Sequence, residues 1–237
     1  MQDAYVGDIG DYGKYGLLRN IRNTFLRLAI NWYRVKPTKV NKQDDGKFID
    51  YLKQPEIYRK YDSELFDELF RIVIKEHQRK IEEIEAIDIG AAYFFSEEIP
   101  KRREVWHNQG LLKTQKADIV FLDPDNGLAT IRMMKNGSYS EKHVLWNELK
   151  DYYDRGQSVI LYQHRPQRTK SEDMIERITE FNRSYLMADF LFGLEFHKYT
   201  NRYYLFFCHN KHANELKRVI DYMNINWKGM CEQIEIL

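Results

Sequence analysis

Two short stretches concentrate the residue types that can do chemistry. The first is Asp123-Pro124-Asp125-Asn126-Gly127, directly after the apolar run 117–122. Asp123 and Asp125 can accept hydrogen bonds or bind a metal, and Asn126 offers both a donor and an acceptor. Pro124 stiffens the turn, while Gly127 permits backbone angles or a close approach that other residues resist. Ordinary strand-to-helix loops use the same residue types. Position favours function here, because ligands of open α/β sheets bind outside the carboxyl ends of the strands. A second apolar run, 158–162, continues into Gln163-His164-Arg165 and would set an imidazole and a guanidinium beside the acidic tip. His164 is a candidate general base or substrate clamp.

The second stretch lies near the start of the chain, where Gly7, Gly10, Gly13 and Gly16 recur every third residue around Asp8, Asp11 and Lys14. Neither a regular helix nor a strand favours that glycine spacing, so a flexible, charged segment is expected. It does not satisfy the phosphate-binding pattern GxxxxGK[ST], since Tyr15 follows Lys14 and no strand precedes it, which excludes a nucleoside triphosphatase of that type. The segment from Gly7 to Tyr15 resembles, without a gap, the GNxxDxxKH segment that opens the bacterial 23S rRNA adenine-N6 methyltransferases. Asp8 stands for Asn and Tyr15 for His. Asp123-Pro124-Asp125-Asn126 is similar to the DPPY motif of the same family, with Asn126 in the place of the aromatic residue.

The resemblance implies a class I S-adenosylmethionine-dependent methyltransferase fold. It places Gly7, Asp8, Asp11 and Lys14 against the cofactor and Asp123 on the target amino group. Asn31-Trp32-Tyr33 stands where a glycine-rich turn would follow the first strand, so Asn31 joins the expected cofactor residues. Asp88 is the expected partner of the cofactor ribose.

These residues need a scaffold. Apolar spacing predicts a helix over 17–25, then a buried strand over 28–35. A long loop and a short helix are expected over 36–54. Asp62 can cap a helix with the stripe Leu65, Phe66, Leu69, Phe70, Val73 and Ile74, continued by the charged run to Glu83. Residues 84–89 form a candidate strand, with 93–95 in it or beside it, and 99–112 a helix. The run 117–122 reads as a central parallel strand. A helix over 140–153, a strand over 158–162 and a helix over 170–185 follow, the last with Thr169 and Glu172 at capping-box spacing. Strands over 190–198 and 202–208, joined at Tyr199-Thr200-Asn201, and a helix over 210–223 complete the chain. The expected architecture is α/β, a Rossmann-like, mostly parallel sheet with helices on both faces and an antiparallel C-terminal hairpin, in one domain.

Composition bounds the function classes. A net charge of +1 gives no global electrostatic footprint for nucleic acid. Cys208 and Cys231 lack metal-ligand spacing, which argues against a disulfide scaffold or structural zinc and fits a reducing cytosol. No run approaches the roughly 20 apolar residues of a membrane helix, and no signal segment is seen. Three functions remain in view. The first is methyl transfer with S-adenosylmethionine to nucleic acid or a nucleotide. The second is metal-dependent nuclease or phosphoesterase chemistry, with Asp8, Asp11, Asp123 and Asp125 converging on magnesium or manganese. The third is a non-catalytic nucleic-acid-binding module using Arg102, Arg103, Arg165, Arg168, Trp106 and Tyr162. Cys208, beside His209, is a weak nucleophile candidate.

Overall fold

The computed structural model describes residues 1–36, 46–165 and 169–236. Helix α1 (Ile9–Ile21) opens the fold and is followed by β1 (Leu28–Asn31). Next come α2 (Pro55–Tyr58), α3 (Ser63–Phe70), α4 (Ile81–Ala86), β2 (Ala91–Phe95), α5 (Arg103–Lys113) and β3 (Ile119–Leu122). A two-residue strand β4 (Gly127–Leu128), α6 (Ile131–Asn136) and its partner strand β5 (His143–Val144) form an excursion before α7 (Trp146–Asp154) and β6 (Ser158–His164). The chain ends with α8 (Ser171–Phe181), β7 (Phe190–Phe196), β8 (Arg202–Cys208), α9 (Asn210–Asn226) and β9 (Cys231–Ile234).

The main sheet has seven strands in the order β2-β1-β3-β6-β8-β7-β9. The β2-β1, β1-β3 and β3-β6 pairs are parallel, and the β6-β8, β8-β7 and β7-β9 pairs are antiparallel. This is a Rossmann-like α/β sheet closed by antiparallel strands. Because successive strand residues face opposite sides, the sheet feeds two cores. Ile30, Phe121, Ile160, Tyr204 and Phe206 pack with α1, α3, α4 and α9 on one face. Val120, Leu122, Leu161, Leu205 and Phe207 pack with α5, α7 and α8 on the other. Among the described residues, no helix is long and apolar enough to cross a membrane.

The glycine-rich opening is not a loop. It is α1, which starts at Ile9, eight residues before Leu17, with Asp8 as its cap: the Asp8 carboxylate accepts the Asp11 N–H at 2.9 Å. The glycines serve contact rather than flexibility. A Cβ at Gly10, Gly13 or Gly16 would overlap the Arg202 guanidinium, the Phe196 ring or the Trp227 ring respectively. Three-residue spacing puts these positions on one helix face, and their lack of side chains lets α1 lie close against β7, β8 and Trp227.

Other expectations shift for local reasons. Residues 84–89 are not a strand: Ile81 and Ile84 bury one face of α4, and the strand starts only at Ala91. The charged run after α3 breaks at His77, whose φ is 56°, and β1 ends at Asn31, two residues before Tyr33 turns to φ 45°. Helix α7 begins at Trp146, because His143–Val144 pairs with β4 instead. Helix α6, capped by Thr130, and edge strand β9 were not foreseen. The Thr169/Glu172 box does not form, as α8 is preceded by Lys170 with no side-chain cap. The expected loop at 36–54 falls partly outside the described residues.

Gly13→Ala tests the close approach. Alanine gains about 1 kcal/mol of helix propensity over glycine, yet the methyl must displace the buried Phe196 ring. Net destabilisation of about 1–3 kcal/mol is expected from overpacking, measured as a lower urea midpoint. Unchanged or higher stability would show that α1 and β7 have room to spare.

Candidate functional site

The chain leaves the carboxyl end of β1 toward β2 on one side and reaches β3 on the other, so strand order reverses between β1 and β3. Loops diverge at such a point and open a crevice. A cavity of about 430 Å³ opens here. Its wall includes Asp8, Gly10, Asp11 and Lys14 of the first segment and Asp123, Pro124, Asp125 and Asn126 of the second. Two segments more than a hundred positions apart therefore share one pocket.

Lys14 joins them. Its ammonium lies 2.8 Å from Asp11 Oδ1 and 2.8 Å from Asp123 Oδ2, with all three side chains at least nine-tenths buried. The rings of Tyr15, Trp32 and Tyr162 lie within 5.8 Å of the same nitrogen. Burial alone would lower the Lys14 pKa, but Asp11 and Asp123 outweigh it and raise it. Burial raises the pKa of Asp123, opposed by Lys14 and the N-terminal ammonium. Asp11 also accepts the Tyr15 hydroxyl at 2.7 Å.

Asp125 anchors the rim. It pairs with the Met1 ammonium at 2.9 Å, accepts the Gln2 amide at 2.7 Å and lies 3.4 Å from Lys142. Burial would raise its pKa, but these partners hold it below the ordinary carboxylate value. Asp8, raised by burial against the pull of Arg202, is 3.5 Å from that guanidinium. The wall thus sets Asp8, Asp11, Asp123 and Asp125 against Lys14, Lys142, Arg202 and the Met1 ammonium, close to charge balance.

The other predicted residues divide. His164 and Tyr162 line the cavity from β6. Gly7, with φ 75°, stands behind the wall, its N–H on Asp11 Oδ2 at 3.3 Å. Asn31 is not at the cavity. Strand alternation turns its side chain to the opposite face, where its amide donates to the Tyr152 hydroxyl at 3.0 Å. Asp88 is at the wrong end of the sheet for the expected ribose contact: it precedes β2 and pairs with Arg22.

The proposed basic and aromatic face does not assemble either. Trp106 is buried, and Arg103 is held 2.6 Å from buried Glu148. Arg165 donates to Ser171 at 3.1 Å, and Arg168 lies outside the described residues. Cys208 is fully buried, and that burial pushes its thiol pKa well up, away from nucleophile chemistry.

Although four aspartates converge, no group of three or more His, Cys, Asp or Glu among the described residues is placed to hold a metal. The Lys14 ammonium takes the position between Asp11 and Asp123 that a cation would need. Residues not singled out from sequence also line the cavity, chiefly Arg202, Lys142, Phe48 and Thr200. Arg202 opens the predicted strand at 202–208, but only its register opposite His164 brings it to the site. Comparison with family models, curated proteins and solved structures returned no match for the chain.

Two outcomes follow from this geometry. Lys14→Met leaves two buried carboxylates without their cation and should lower the unfolding free energy by about 3–5 kcal/mol. Adding Asp123→Asn should recover part of that loss in a double-mutant cycle, whereas strictly additive losses would mean that the pair does not interact. Burial, then the Arg202 charge, holds the His164 pKa below its ordinary 6.5. Its stabilising contribution is therefore present above pH 6.5 and is lost as pH falls through the depressed folded value. His164→Gln should make the decline in stability below pH 6.5 shallower, read from denaturant unfolding at stepped pH.

Proposed function

We propose that the chain is an S-adenosylmethionine-dependent methyltransferase, or a relative keeping that fold, acting on nucleic acid or a nucleotide. The observation that carries this reading is the meeting of Asp8, Asp11 and Lys14 with the Asp123-Pro124-Asp125-Asn126 tip in one cavity where strand order reverses. The insertion of antiparallel β8 between β6 and β7 supports it, being similar to the ending of class I methyltransferases.

The cavity fits the cofactor in part. Its size falls in the range of small-molecule sites, and a lining of carboxylates with Phe48 and Tyr162 suits a positively charged sulfonium group. No glycine-rich turn follows β1, and Met1 and Gln2 line the cavity instead. The cofactor would supply an activated methyl group. The protein's part is alignment and exclusion of water. Lys14 holds Asp123 Oδ2, which leaves Oδ1 to accept a hydrogen bond from the substrate amino group. The raised pKa of Asp123 favours uptake of the proton that the amine releases.

Convergence of the four aspartates favours a second reading, a metal-dependent phosphoesterase. The buried Lys14 cation argues against it, because a divalent ion would have to displace an ammonium already paired twice.

Calorimetry with S-adenosylmethionine and its demethylated product should give saturable binding. Asp123→Asn should keep that binding and lose about a hundredfold or more in methyl transfer. Absence of heat and of thermal shift with either compound removes the proposal. Magnesium- or manganese-dependent phosphoester cleavage that Asp123→Asn abolishes would put the second reading in its place.

A further inference from the structure

Arg202 is 8% exposed and lines the cavity, yet its guanidinium is poorly satisfied. Its ion-pair contact with Asp8 is a loose 3.5 Å through Nη2, and Nη1 is buried with no hydrogen-bond partner. A guanidinium carries five N–H donors in a fixed fork that matches the oxygens of a phosphate or carboxylate, and buried donors are normally paired. Gly10 adds rigidity. The guanidinium packs where a Cβ at that position would be, so α1 holds the fork against the cavity wall.

The neighbours suit the same ligand. His164 is the direct register partner of Arg202 across the β6-β8 pair, and both residues line the cavity together with Thr200. Burial and the Arg202 charge favour the neutral imidazole. Lys14 and its two carboxylates line the same cavity, so it offers carboxylates to an amino group and a guanidinium to an anion.

We propose that Arg202, with His164 and Thr200, forms an anion subsite that binds a phosphate group of the ligand. A nucleotide with its base amino group toward Asp123 and its phosphate on Arg202 uses both groups. The subsite rests on the cavity walls and not on the cofactor, so phosphate binding without S-adenosylmethionine binding would remove the proposed activity and leave the subsite standing.

The test uses the whole chain and inorganic phosphate, then adenosine and adenosine monophosphate. In the unmodified protein, phosphate should shift the His164 imidazole resonances saturably and raise the His164 pKa. Adenosine monophosphate should bind at least about tenfold more tightly than adenosine, the gain expected of a charge-assisted contact. Arg202→Gln should erase that difference, and His164→Ala should reduce it while leaving the Arg202–Asp8 contact in place. No saturable change at His164 with phosphate in the unmodified protein overturns the subsite without reliance on any variant. Equal affinity for adenosine and adenosine monophosphate, or full retention of the difference in a folded Arg202→Gln protein, overturns it as well.

Discussion

A buried ammonium between two buried carboxylates is the constraint on which the rest of the molecule turns. Lys14 belongs to the first helix, and Asp123 directly follows β3. Desolvating these groups is costly, and their attraction offsets the cost only when the geometry is good. The contact therefore acts as a positional lock. It fixes how α1 lies across the carboxyl edge of the sheet, and with it the location of Asp8 and Asp11.

The lock needs a close helix. Side chains at positions 10, 13 and 16 would push α1 away from β7, β8 and Trp227, and Lys14 would leave Asp123. On the opposite face, buried Glu148 performs a matching task. It accepts the Arg103 guanidinium, the Tyr33 hydroxyl at 3.2 Å and the Leu145 N–H at 3.0 Å. Arg103 also donates to the His143 carbonyl at 2.9 Å, and the Asn126 N–H donates to the Lys142 carbonyl at 2.9 Å. The excursion from β4 to β5 is thereby tied down, which carries Lys142 to Asp125. One network sets the wall of the cavity, the other its rim.

Much of this was legible in the residues. Asp123-Pro124-Asp125-Asn126 could be placed at a strand end because the preceding run is short and apolar on both faces. The β7-β8 hairpin followed from two β-rich runs around Tyr199-Thr200-Asn201, and β8 was bounded correctly. The errors share a cause. Gly10, Gly13 and Gly16 spoke against a helix by intrinsic propensity, but a tight tertiary contact outweighs that preference. Asn31 and Asp88 were placed by proximity to strands. Which face a strand residue meets, and which end of the strand it occupies, decides whether it can reach a ligand.

The sequence alone determined the class of architecture and the two segments worth watching, because apolar periodicity and turn chemistry are local properties encoded within a few residues. It could not determine that those segments meet. That outcome depends on strand order, on the register that sets Arg202 opposite His164, and on the depth to which a bare glycine face lets α1 approach the sheet. Each is a long-range relation, settled when distant side chains compete for the same buried volume and the same partners of opposite charge.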